Sequence, residues 1–298
     1  MKLTGIRKIF PATSLPRFNF GAWKLDTQET CLLGREVISP SESYYQPDVS
    51  NLLFVKMKGT KIVQSQVVWK AEKDSLLEDP RVLVLSKEKV LIGLTAVLKT
   101  NNKWKVYPAV TTFNSSTLQF GNIKIIQSFG TGKNTTPLTR NLIMFRPSGL
   151  DFFHKFLIFQ FKNNKATSYG EISIPGTSWG KWKIGASTPP IWLTRRKALL
   201  FLIGINLVNR KYVYSMGRAF LEKINGEFRI FHIDPEPFIT RETFVGFSVR
   251  ELHPHQRKVV YMCGAVVNNN KTVDLYVNVG DRHTFVVSAK LDDLARLD

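Results

Sequence analysis

Leu77-Glu78-Asp79-Pro80-Arg81-Val82 sets two adjacent carboxylates ahead of a proline and an arginine, and a run of strand formers, 82–85, follows. Proline fixes its own φ and biases the residue before it toward extended backbone. The stretch therefore predicts Asp79 at a stiff strand entrance and not on a helix. Alternate side chains of an extended chain share a side, so Arg81 is expected beside Asp79. A carboxyl group held against a guanidinium suits acid–base chemistry, and it suits equally an ion pair that closes a turn. These residues alone leave both readings open.

Outward from that stretch the chain reads as strands. Segments 51–57, 61–69, 90–98, 142–145, 156–161, 198–205, 212–220, 227–233, 259–267 and 273–277 are rich in Val, Ile, Leu, Phe and Tyr. Turn residues separate them: Lys58-Gly59, Asn101-Asn102, Lys162-Asn163-Asn164, Asn225-Gly226 and Asn268-Asn269-Asn270. Asn225-Gly226 between two apolar runs is a hairpin signal. Only 291–297 suggests a short helix. Many short strands at even spacing predict a sandwich, a barrel or a propeller. The internal repeat is too weak to count blades from pattern.

The 298 residues carry 42 Lys+Arg against 23 Asp+Glu, a formal net charge of +19. A field of that sign attracts anions. The basic residues are scattered, which argues against a dedicated nucleic-acid surface. With 43% hydrophobic residues the chain fills a large core, and residues 1–298 are expected to form one all-β domain. Cys31 and Cys263 make no disulfide framework and are expected as buried thiols. No signal core is visible in 1–8, and no apolar run is long enough to cross a bilayer, so the expectation is a cytoplasmic chain.

Competing chemistries find little support. Gly130-Thr131-Gly132-Lys133 lacks the spacing of a phosphate loop and is read as a flexible turn. His253-Pro254-His255 has no third ligand nearby, so no metal site is expected. Core packing is the default for Trp104, Trp179, Trp182 and Trp192, although Trp179 and Trp182 flank Lys183.

A series of landmarks surrounds the opening stretch. Asn19 lies in Phe18-Asn19-Phe20-Gly21-Ala22 and Arg35 in Leu32-Leu33-Gly34-Arg35. Downstream come Lys183-Ile184-Gly185-Ala186, Pro189-Pro190-Ile191 and Tyr214-Ser215-Met216-Gly217-Arg218-Ala219. Cys263-Gly264-Ala265, Gly280-Asp281 and Ala289-Lys290-Leu291-Asp292-Asp293-Leu294 complete it. In order and approximate spacing the series resembles glycoside hydrolase family 130, the β-mannoside phosphorylases and β-mannosidases. The resemblance implies a five-bladed β-propeller with a central axial active-site pocket, at roughly 55 to 60 residues per blade.

The same resemblance implies roles. Asp79 matches the family's general acid, which passes its proton to the leaving oxygen through a sugar hydroxyl. Asn19, Arg35, Arg81 and Asp281 match positions that hold the mannose. Lys183 matches a phosphate-binding lysine and Arg140 an arginine of the same set. A second arginine near Phe159-Gln160-Phe161 and a histidine near Ile203-Gly204 are missing. Each lost bond to a charged group removes about 1.5–3 kcal/mol, so the phosphate site reads as eroded. The expected reaction is inverting cleavage of a β-mannoside oligosaccharide, with no cofactor beyond inorganic phosphate as co-substrate. Alternatives are an inverting β-mannosidase, a nucleotide-sugar mannosyltransferase and a non-catalytic glycan-binding propeller.

Overall fold

The computed structural model describes residues 3–11, 15–43, 46–149, 154–162, 165–253 and 256–297. Asn163-Asn164 and Pro254-His255 lie outside the described residues.

Five sheets, each built on four antiparallel strands, form the blades of a β-propeller. Blade 1 runs outward through Arg17–Lys24, Glu29–Ser39, Val49–Lys58 and Lys61–Trp69. Blade 2 is built on Ser75–Val84, Lys89–Thr100 and Lys103–Asn114, with Lys124–Ile125 outermost. Blade 3 contains Gly132–Pro137, Leu142–Pro147, Lys155–Lys162 and Lys165–Ser173. Blade 4 contains Lys183–Ala186, Lys197–Val208, Lys211–Ile224 and Glu227–Ile233. Blade 5 joins both ends of the chain: Val260–Val267, Thr272–Val279 and His283–Lys290 are completed by Leu3–Lys8. The expected helix is present as the short segment Leu291–Ala295. Asn225 and Gly226 turn the expected hairpin with φ of 50° and 92°.

The apolar clusters lie between neighbouring blades. Trp23, Leu33 and Phe54 of blade 1 pack on Ile92, Leu94 and Phe113 of blade 2. Phe201, Ile203 and Phe220 of blade 4 pack on Met262, Leu275 and Phe285 of blade 5. Each such Leu or Phe contributes about 1.5–3 kcal/mol by leaving water. The second strands of the blades are covered on both faces, so 90–98 and 198–205 read as continuous apolar runs without alternation.

The innermost strands carry a recurrent irregularity. Register shifts between Phe18 and Gly21, between Glu78 and Arg81, and between Lys133 and Thr136. At these points Asn19, Asp79 and Asn134 hold φ of 56°, 54° and 61°. Asn and Asp tolerate left-handed backbone better than other side chains, and a bulge re-aims one side chain out of the alternation. Asp79 is thus not at an extended strand entrance: it sits within Ser75–Val84 in left-handed conformation. The bulge overrides the extended bias that Pro80 imposes. Close approach of the inner strands requires Gly21, whose Cβ would lie 2.7 Å from the Pro80 carbonyl oxygen.

Candidate active site

The three bulges point their Asx side chains into one axial cavity of about 410 Å³, bounded by all five blades. Asn19, Arg35, Asp79, Lys183 and Asp281 line it together. Arg81 and Arg140 do not. Arg81 is fully buried, and its guanidinium donates to the Asp79 carbonyl at 2.8 Å, to the Ser187 carbonyl at 3.1 Å and to the Tyr261 hydroxyl. It therefore fixes the Asp79 backbone and does not meet the Asp79 carboxylate. Arg140 is exposed in the turn before Leu142–Pro147 and donates to the Leu85 carbonyl.

One side of the cavity is acidic. The Asn19 amide donates to the Asp79 carboxylate at 2.6 Å. Arg35 lies 3.0 Å from Glu78, 3.7 Å from Asp79 and 3.7 Å from Asp48. Burial works against the charge of Arg35, but Glu78, Asp79, Asp48 and Asp281 together outweigh it and hold its guanidinium above the ordinary value. Asp48 also meets His253 at 3.1 Å. Asp281 has φ of 49° and accepts a 2.6 Å hydrogen bond from Asn278.

The other side is cationic. Lys133, Arg146 and Lys183 line it, with Tyr212 and Tyr214 beside them. Burial lowers the Lys183 ammonium below its usual range, and Arg146 and Lys133 push it further down. Arg146 is pulled down to about 10, first by burial, with Arg81 adding to the effect against Tyr214. Its Nη1 is buried and has no hydrogen-bond partner among the described residues. Lys133 and Arg146, close enough to depress the Lys183 ammonium, make with it a cation set that suits a compact anion. Glu78 bridges the two sides, taking Arg35 on one oxygen and Lys133, at 3.7 Å, on the other.

Several of these groups escape sequence reading. Lys133 does not belong to a flexible turn; Gly132–Pro137 is the innermost strand of blade 3. His253 reads as a loop residue, yet it faces the cavity paired with Asp48. Arg146, Asn134 and Tyr261 carry no local signature. A signal for Asn134 does exist: Asn19, Asp79 and Asn134 are separated by 60 and 55 residues (79 − 19 and 134 − 79), one blade each. Among the tryptophans, Trp104 lines the cavity and Trp182 stacks on Tyr212 at 4.9 Å with the Lys183 ammonium 4.7 Å from its ring. Trp179 is core, its indole N–H held by the Asp234 carbonyl. Among the described residues no group of three or more His, Cys, Asp or Glu is placed to hold a metal, and no helix is long and apolar enough to cross a membrane.

No protein-family model and no curated protein matches this sequence. Solved structures match it in fold. A β-1,2-mannobiose phosphorylase from Listeria innocua, solved with β-1,2-mannobiose, superposes with a TM-score of 0.69 at 15% identity, over 97% of this chain and 92% of that one. A glycosyl hydrolase from Bacteroides ovatus gives 0.65 at 15% identity, over 96% and 87%. A mannose phosphorylase from Leishmania mexicana, in complex with phosphate ion, gives 0.63 at 13% identity, over 97% and 89%. At these identities the shared property is the propeller fold.

Proposed function

We propose that the protein is a carbohydrate-active enzyme that cleaves β-mannosides by phosphorolysis with inversion. One observation carries the reading: a hydrogen-bonded carboxyl group, Asp79, and a cation set, Lys133, Arg146 and Lys183, face the same cavity. The fold shared with mannoside phosphorylases supports it. Arg146 and Lys133 supply cations where the sequence suggests a depleted phosphate site.

In this mechanism the mannose ring lies against Asn19, Arg35 and Asp281. A phosphate oxygen held by the cations attacks the anomeric carbon on the face opposite the leaving oxygen. The glycosidic C–O bond breaks, and the Asp79 proton passes to the leaving oxygen. The products are α-mannose 1-phosphate and the shortened sugar, and Asp79 regains its proton from solvent. Positioning contributes as much as proton transfer, because the two reactants meet already oriented.

Incubation with β-1,2- and β-1,4-mannobiose, with and without phosphate, tests the proposal by chromatography of the products. Mannose 1-phosphate formed only with phosphate is expected. Free mannose at equal rates in both reactions would replace phosphorolysis by hydrolysis.

A further inference from the structure

We infer that the Tyr261 hydroxyl is a further ligand of the anion, donating its proton to an oxygen held by Lys133, Arg146 and Lys183. The inference rests on the phosphorolytic reading for the identity of that anion.

A phenolic oxygen carries one proton and can accept at its lone pairs. Tyr261 accepts the Arg81 guanidinium on one side and the Asn134 side-chain amide at 2.7 Å on the other. Both partners are donors, so the O–H bond has to point away from them. Among the described residues the hydroxyl has no acceptor for its own proton. Tyr261 lines the axial cavity, so the remaining direction is the cavity.

The location selects the class of acceptor. Asn134 is adjacent to Lys133 on the innermost strand of blade 3, and Arg81 sits at the Asp79 carbonyl on the innermost strand of blade 2. The hydroxyl is thus held where the acidic and cationic sides meet. A guanidinium on the phenolic oxygen polarises the O–H bond, and a polarised donor favours a charged acceptor. The Arg81 guanidinium also lies 5.5 Å from the Tyr261 ring centroid, which fixes the ring as well as its oxygen. Arg81 is therefore a positioning residue: fully buried, it acts through Tyr261 and the Asp79 backbone.

The test is isothermal titration with inorganic phosphate, and separately with β-1,2-mannobiose, on the wild-type chain and on Tyr261→Phe. The inference expects phosphate affinity to fall at least tenfold in Tyr261→Phe, with mannobiose affinity within threefold. A chain carrying 3-fluorotyrosine at this position keeps the hydroxyl and its two donors but makes the proton more acidic. It is expected to bind phosphate at least as tightly as wild type below pH 7 and to lose that affinity at a lower pH than wild type. Unchanged phosphate affinity in Tyr261→Phe would overturn the inference. So would an equal loss for both ligands, or a 3-fluorotyrosine chain whose pH profile matches wild type. Wild-type turnover of mannobiose in phosphate decides the phosphorolytic reading separately: turnover with an indifferent Tyr261→Phe removes this inference alone, and phosphate binding without turnover removes that reading alone.

Discussion

The side-chain amide of Asn19 donates a 2.6 Å hydrogen bond to the Asp79 carboxylate across the boundary between blades 1 and 2, and both residues hold left-handed backbone. Strain at such positions persists where the surrounding structure over-determines it, and it clusters at functional sites. Each residue orients the other: the bulges aim two side chains at one point, and the hydrogen bond fixes the carboxyl rotamer.

Replacing Asn19 separates strain from bonding. Asn19→Gly and Asn19→Ala both lose the contact with Asp79, but only alanine bears the left-handed penalty. After allowance for the greater chain entropy of unfolded glycine, Asn19→Ala should be less stable than Asn19→Gly by about 0.5–1 kcal/mol. Urea denaturation of the two variants measures the difference. Equal midpoints would mean that the bulge relaxes on losing the bond.

Removing the proton donor should leave the binding of sugar in place. Asp79→Asn keeps the side-chain shape and is expected to reduce turnover by about 10²–10⁴-fold. Steady-state rates with mannobiose, read beside direct sugar binding, check this. Full activity in Asp79→Asn would assign the proton transfer elsewhere.

Two arginines make a contrast. Arg146 faces the cavity with a buried Nη1 that has no partner among the described residues, whereas Arg140 is exposed and bonds the Leu85 carbonyl. A bond to a charged ligand is worth about 1.5–3 kcal/mol. Arg146→Ala should therefore raise the KM for phosphate at least tenfold, while Arg140→Ala leaves it within twofold. Phosphate-dependence curves for the two variants decide between these positions.

The Asp48–His253 pair gives a pH dependence. Its hydrogen bond to Asp48 lifts the His253 imidazole above its ordinary value, against desolvation. Burial opposes the charge of Asp48, but His253, Arg35 and the Ser41 amide outweigh it and hold the carboxyl low. A raised imidazole contributes stability that is complete below its unfolded value, about 6.5, and fades as pH rises through the folded value. A depressed carboxyl contributes above its unfolded value, about 3.9, and fades as pH falls through the folded one. The pair is thus most stabilising between those limits. The melting temperature of wild type minus that of His253→Gln should be largest near pH 5 and shrink toward pH 8.5. A difference independent of pH would remove the charged pair from the account.

The sequence speaks clearly where chemistry is local. Asn225-Gly226 announces a hairpin because two left-handed residues in series suit few other pairs. The apolar runs at 90–98 and 198–205 announce strands covered on both faces. The placement of Arg81 and Lys133 is less legible, because each depends on a one-residue bulge that reverses which way a strand's side chains point. Without the bulge, alternation puts Arg81 beside the Asp79 carboxyl; with it, Arg81 turns inward to the carbonyl and Arg35 from the next blade takes that place. Arg146 is invisible for a different reason. Its place at the cavity comes from pairing opposite Lys133 across two strands, a relation that no short stretch encodes.

The account rests on an acid and a bound phosphate acting on one mannoside, and following a single reaction by ³¹P and ¹H nuclear magnetic resonance tests that most directly. With β-1,2-mannobiose and inorganic phosphate, each equivalent of substrate lost should consume one equivalent of phosphate and produce one of α-mannose 1-phosphate. Mannose released while the phosphate signal stays constant, or mannobiose left intact, would contradict it.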